Sequence, residues 1–186
     1  MKKQKNTFKA ILLVLGCLAF LPQMQGVSPP PDGCYPNFTT AEGCNALQNL
    51  TTGAANTGVG WYALFGTSTG SFNTGIGAGA LVLNNADANT AVGTAALLLN
   101  TAGTGNSALG TGAMVNNDNG ANNTAVGAFA LTSNTEGSNN NALGSDALHD
   151  HLSGSFNNAI GSFSLTSDQS GSFNDHPRFE RSDGRL

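Results

Sequence analysis

The chain has 186 residues, of which 10% are charged and 39% are hydrophobic, and its formal net charge is −4. Glycine and asparagine are abundant, with 25 and 23 residues. Soluble domains usually carry about 25% charged residues, so this composition is not typical of a globular enzyme, while its apolar content argues against disorder. All lysines lie in the first nine residues and all arginines in the last nine. Nucleic acids and anionic membranes bind mainly through such cations, so we expect residues 10–177 to bind neither.

The N-terminal residues 1–26 have the three-part layout of a secretory signal peptide. A lysine-rich start ends at Lys9, an apolar segment spans 10–21, and a polar stretch leads to Gly26. The apolar segment is shorter than the ~20 residues that span a bilayer, so we predict cleavage rather than a retained transmembrane segment. An alternative is lipid attachment at Cys17, although the apolar segment continues beyond that cysteine, which is atypical of lipoproteins. The sequence predicts a secreted or cell-surface protein.

A lead-in segment, residues 27–38, precedes the repeats and contains Cys34. Both Cys34 and Cys44 would remain after export to an oxidising compartment, where disulfides persist. A disulfide that closes so short a loop stabilises by roughly 2–3 kcal/mol, and we predict one between these two cysteines. A metal site here is disfavoured, because two cysteines without nearby histidines supply half a ligand set.

Residues 39–173 form eight consecutive repeat units with a period of 17 residues, one unit having 16. A ninth unit opens at Asn174 and breaks at once, so residues 174–186 are predicted to be an irregular tail. Position 5 of every unit is glycine, which indicates a turn or a close approach that a Cβ would prevent. These glycines are Gly43, Gly60, Gly77, Gly93, Gly110, Gly127, Gly144 and Gly161. A second glycine, at position 15 in most units, lies in a polar run typical of a return turn.

Two apolar columns flank the glycine at position 5, and we predict that both form the core. Position 4 is aliphatic in units 2–8, as Val59, Ile76, Val92, Leu109, Val126, Leu143 and Ile160. Position 9 is large and apolar, as Leu47, Leu64, Leu81, Leu97, Met114, Leu131, Leu148 and Leu165. The alanine that usually stands at position 8 is small enough for tight packing.

The repeat predicts an all-β fold, because two glycines and a polar cluster in each unit leave no stretch long enough for a helix. Short apolar segments at a fixed period fit a parallel β-solenoid, with one or two strands per coil. At ~4.8 Å per coil, eight coils would make a rod of roughly 38 Å. Asparagines at position 1 would stack and could hydrogen-bond their side-chain amides from coil to coil.

The element Asn-Thr/Ser-Ala-Val/Leu-Gly, present at 89–93, 106–110 and 123–127, resembles the head repeat of YadA-like trimeric autotransporter adhesins. That resemblance implies a left-handed β-roll, a homotrimer on a bacterial surface, and binding to matrix proteins or other cells. This unit is longer than the usual head repeat, and the chain has neither a heptad stalk nor C-terminal barrel strands. Independently of the family, each coil has a small apolar supply, so self-association would cover any second apolar face.

Candidate catalytic and metal-binding residues are few. The acidic residues of the repeats occupy different columns and form no paired-carboxylate site, so we predict no enzyme and no cofactor. His149, Asp150 and His151 could bind a transition metal, particularly if several chains brought them together. The alternative is that they stand at variable turn positions that tolerate polar residues.

Two further functions stay open beside adhesion. Position 2 forms a column of threonine and serine from Thr40 to Thr124, a pattern that also occurs in ice-binding solenoids, but the column ends where Asn141 and Asn158 follow. The array could also be a spacer or filament segment of a larger or truncated surface protein.

Overall fold

A computed structural model describes residues 36–176, which fold into short β-strands after a 3₁₀ segment at Pro36–Phe38. The predicted signal peptide, Cys17 and Cys34 lie outside the described residues. The strands are β1 (Thr40–Glu42), β2 (Thr57–Val59), β3 (Thr74–Ile76), β4 (Thr90–Val92), β5 (Ser107–Leu109), β6 (Thr124–Val126), β7 (Asn141–Leu143), β8 (Asn158–Ile160) and β9 (Asp175–His176). Strands β1 to β8 occupy positions 2–4 of units 1 to 8, so each unit forms one coil.

The strands form one parallel sheet in which every strand pairs with the next along the chain, from β1 to β9. The register pairs identical repeat positions, for example Thr90 with Ser107 and Val92 with Leu109. Only a chain that winds once per repeat can place like positions side by side in parallel strands. The predicted all-β parallel solenoid is therefore confirmed.

Each coil contains one strand, and the glycine at position 5 ends it. All eight of these glycines have φ between +112° and +142°, a region that L-residues with a Cβ rarely adopt. A Cβ on Gly60 would also lie 2.7 Å from the backbone carbonyl of Gly77 in the next coil. Both predicted reasons for glycine, backbone conformation and close approach, thus hold at this column.

The remainder of each coil is also hydrogen-bonded to its neighbours. The Tyr62 amide donates to the Cys44 carbonyl of the previous coil at 3.0 Å, and the Leu64 amide donates to the Ala80 carbonyl of the next coil at 2.9 Å. Tyr62 and Leu64 both have positive φ, of 57° and 54°. Backbone bonds that point alternately to the two neighbouring coils therefore hold this turn without a second strand.

The core is built from positions 3, 8 and 9. The position-9 column is fully buried from Leu64 to Leu148, so this predicted core column is confirmed; Leu47 is also buried, and Leu165 packs against the core from a half-buried site. Position 3 holds only glycine or alanine in β2 to β8, because position 9 of the preceding coil packs on it. A Cβ on Gly58 would lie 3.2 Å from Leu47 Cγ.

The prediction that position 4 forms a second core column is wrong. Its side chains lie on the outside of the sheet, where the leucines and isoleucines are exposed and the valines are half-buried. The column consists of Val59, Ile76, Val92, Leu109, Val126, Leu143 and Ile160. Successive side chains of a strand point to opposite faces, and since position 3 faces inward, positions 2 and 4 face outward.

The solenoid continues into the predicted tail. β9 pairs with β8 through Asn158–Asp175 and Ala159–His176, and the Asn174 amide donates to Asn157 Oδ1 at 3.0 Å. The ninth unit that opens at Asn174 thus adds the start of another coil before the described residues end.

Candidate functional site

A ladder of buried asparagines at position 1 runs along the interior beside the apolar core. The side-chain oxygen of each asparagine accepts the backbone N–H of the asparagine in the next coil, as from Asn73 to Asn56 at 2.9 Å. Its side-chain nitrogen donates to the position-15 carbonyl of its own coil, as from Asn56 to Gly70 at 2.8 Å. The predicted bond between neighbouring side-chain amides occurs in places, as from Asn123 Nδ2 to Asn106 Oδ1 at 3.2 Å. Backbone amides are the donors that the prediction missed.

A second ladder, at position 12, was not predicted from the sequence. Asn100 donates to Asn84 Oδ1 at 2.7 Å, Asn117 donates to Asn100 at 2.7 Å, and Asn134 donates to Asn117 at 2.6 Å. All four side chains are fully buried. Position 12 is asparagine in four successive units, but these asparagines lie next to or within the polar run that is typical of a return turn, which conceals the pattern.

The carbonyls at position 15 close both ladders. Gly103 O accepts from Asn89 at position 1 and from Asn100 at position 12, both at 2.9 Å. In the 17-residue units a glycine stands here because the neighbouring coil comes close: a Cβ on Gly70 would lie 2.6 Å from the Ala86 carbonyl oxygen. The second glycine of the repeat is therefore set by this close approach.

The unit with 16 residues keeps both ladders intact. Asn84 bonds to the carbonyl of Ala86, two residues on, at 3.0 Å, whereas Asn100 bonds to that of Gly103, three residues on, at 2.9 Å. In this unit the turn between positions 12 and 15 is therefore one residue shorter.

The structure separates the three residues that we considered for a metal site. His149 Nδ1 and Asp150 Oδ1 are 2.7 Å apart at the surface, whereas His151 is fully buried at position 12. His151 occupies a ladder position and is not a tolerant turn residue. Among residues 36–176 no group of three or more His, Cys, Asp or Glu side chains is placed to hold a metal ion.

His151 interrupts the second ladder. Its Nδ1 lies 3.0 Å from the Asp168 carbonyl oxygen and its Nε2 lies 2.8 Å from that of Gly154. Neither ring nitrogen bonds to Asn134 Oδ1, the acceptor that the preceding coil presents. Within the described part of the chain, Asn134 Oδ1 is a buried oxygen without a hydrogen-bond partner. Such a group costs about 1–3 kcal/mol.

Three of the acidic side chains support the turns. Asp87 Oδ1 accepts the Ser71 amide at 2.7 Å, and Asp168 Oδ1 accepts the Gly171 amide at 2.9 Å. Asp118 accepts the Thr101 hydroxyl of the previous coil. These carboxylates accept hydrogen bonds that stabilise a turn within one coil or connect two neighbouring coils.

The outer face of the sheet carries two straight columns of uncharged side chains. Position 2 supplies hydroxyl groups from Thr40 to Thr124, and position 4 supplies aliphatic groups from Val59 to Ile160. Because the register pairs identical positions, the two columns run side by side along the solenoid. Leu109, in the middle of the aliphatic column, is 51% exposed.

Cys44, the described member of the predicted disulfide, is exposed in coil 1. Its predicted partner Cys34 lies outside residues 36–176, so the disulfide stays a prediction.

Within residues 36–176 there is no helix with the length and apolar character needed to cross a membrane. Comparison of the chain with protein-family models, with curated proteins and with solved structures gave no match.

Proposed function

We propose that this chain is a secreted or cell-surface repeat protein that acts as an adhesin-like head or structural module, assembles as a homotrimer and has no catalytic activity. The observation that carries the proposal is the outward aliphatic column at position 4, which repeats through seven coils from Val59 to Ile160. The resemblance of the repeats to YadA-like trimeric heads supports the trimer and the surface display. The N-terminal signal pattern supports export.

The position-4 column favours self-association over a small ligand. Exposed apolar patches that continue over a large area mark interaction surfaces, and this one has the length and regularity of the solenoid itself. A surface with the same repeat matches it coil for coil, and a second copy of the chain provides such a surface. Closed symmetric assemblies cover a patch of this kind completely.

Native mass spectrometry of the mature protein tests the assembly. We expect a complex of three chains. The double variant Leu109→Glu/Leu143→Glu should give folded monomers, because it places carboxylates within the apolar contact. The matched control is Leu83→Glu/Leu99→Glu, which changes two exposed leucines at position 11, away from the strand face; this variant should remain assembled. A monomeric wild-type protein would contradict the proposed assembly.

Adhesion and a spacer role differ in ligand binding. An adhesin-like head should bind at least one component of an array of extracellular matrix proteins, and the binding should be lost when the repeats are unfolded. A spacer would bind none of them while keeping the same assembly.

Ice binding is a second candidate that a specific observation favours. The hydroxyl column at position 2 points outward, and its members pair in register from Thr40 to Thr124. It shares the strand face with the aliphatic column, so a trimer closed over this face would leave no room for an ice surface. A thermal hysteresis assay on the monomeric double variant and on the wild type separates the two functions.

A further inference from the structure

Coil 2 contains an aromatic cluster that no other described coil repeats. The Trp61 and Tyr62 ring centroids are 4.4 Å apart, and those of Tyr62 and Phe65 are 4.6 Å apart. Trp61 is the only tryptophan of the chain and is 61% exposed, while the other two rings are half-buried. The cluster lies after the bend at Gly60, and so beyond the strand that carries the position-4 column.

The backbone holds this cluster between two coils. The Tyr62 amide donates to the Cys44 carbonyl at 3.0 Å, and the Trp61 carbonyl accepts the Gly79 amide at 2.8 Å. The positions that match Trp61 and Tyr62 in coil 3 are Ala78 and Gly79. These small neighbours leave the indole accessible. Because the backbone is already fixed, less conformational entropy is lost when a ligand binds.

The solenoid that carries the cluster is acidic as a whole. Residues 36–176 contain eight aspartates and glutamates and neither lysine nor arginine. In the coil before the cluster, Glu42 of β1 pairs in register with Val59. Val59 lies two residues before Trp61 in the sequence. A surface with charges of one sign attracts the opposite charge over several ångströms and raises the rate of encounter. An aromatic face on such a surface adds cation–π attraction, for which tryptophan is the strongest side chain.

We propose that the Trp61 cluster binds a basic polypeptide, with a lysine or arginine side chain stacked on the indole and the acidic surface attracting the rest of the ligand. The inference rests on the proposed function, since it names the ligand class of the adhesin-like head. The aromatic cluster follows the bend at Gly60, and Glu42 stands at position 4 of coil 1, before the aliphatic column begins at Val59. Ligand binding and trimer assembly through the aliphatic column can therefore both occur. A neutral saccharide, which could also stack on tryptophan, would gain nothing from the acidic surface.

The probe is an oligoarginine peptide, titrated into the full mature protein. Because Trp61 is the only tryptophan, its fluorescence should change saturably as the peptide binds. The affinity should fall steeply as salt is raised to ~1 M, where charges are screened beyond ~3 Å. An oligoglutamate peptide should cause no change.

Variants are compared by the anisotropy of a labelled peptide. Trp61→Ala should weaken binding about 2- to 30-fold, the range that cation–π pairs span. Phe163→Ala, which removes another aromatic side chain that is 57% exposed but lies in coil 8, should bind like the wild type. Urea unfolding of both variants controls for loss of fold.

Equal affinity of Trp61→Ala and wild type would overturn the inference, as would preferential binding of a neutral oligosaccharide without salt dependence. These outcomes can be told apart from failure of the proposed function. A trimer without peptide binding contradicts only this inference, whereas a monomer that binds the peptide through Trp61 contradicts only the assembly.

Discussion

At the scale of single residues, the interior depends on amide groups as much as on leucines. Asparagine fits positions 1 and 12 because one side chain offers both a donor and an acceptor at fixed separation. Histidine at position 12 directs its ring nitrogens towards the carbonyl oxygens of Asp168 and Gly154 and supplies no donor to the coil before it. Asn134 Oδ1 is left buried and unpaired as a result.

We predict that His151→Asn stabilises the protein by about 1–3 kcal/mol, because the new amide can donate to Asn134 Oδ1 and continue the ladder. The measurement is the midpoint of urea unfolding at constant slope. His149→Asn, a matched change at a half-exposed neighbour, should alter stability by less than ~0.5 kcal/mol. Destabilisation by His151→Asn would mean that the two carbonyl contacts of the ring outweigh the unpaired oxygen.

At the scale of one coil, the glycine at position 5 determines where the strand ends and how closely coils approach. At position 7, by contrast, glycine is not required, although the backbone there also has positive φ. Gly79 has φ of 69°, and the nearest atom to an added Cβ would be Leu98 Cδ1 at 3.4 Å, an ordinary contact. Other coils place alanine, tyrosine or phenylalanine at this position with similar φ.

Gly60→Ala and Gly79→Ala should therefore differ widely in cost. At Gly60 the methyl group would meet the Gly77 carbonyl at 2.7 Å with φ at +127°, so we expect a loss of at least ~3 kcal/mol. At Gly79 only the left-handed backbone is penalised, at about 1 kcal/mol. Thermal unfolding of the two variants under the same conditions gives both values. Similar losses of stability in the two variants would show that the close approach of the next coil is not the reason for glycine at position 60.

At the scale of the whole molecule, periodicity alone was enough to predict the parallel solenoid and its register. It also predicted the position-9 core, because leucine recurs there without exception other than Met114. It could not assign Val92 and Val126 to the outside, since a hydrophobic residue in a strand faces either the core or a partner surface. The deciding clue was the small residue at position 3, such as Ala91, which leaves room for the large position-9 side chain of the preceding coil.

The polar interior was harder to predict for a related reason. Asn100 and Asn117 stand in polar, glycine-containing runs that are typical of surface turns. Their burial depends on the coil-to-coil bonds, which appear only once the coils are stacked. Its sequence neighbours His149 and Asp150 make His151 a candidate metal ligand. Its place at position 12 instead puts it in the column of buried asparagines.

We propose that other copies of the chain cover the position-4 face. This burial is measured by the rates at which single-cysteine variants react with a thiol reagent, with the native cysteines changed to serine. In one chain Leu109 and Leu83 are exposed to similar extents, 51% and 48%. We predict that Leu109→Cys reacts at least ~10-fold more slowly than Leu83→Cys in the native protein, because assembly buries it. Equal rates would contradict the account.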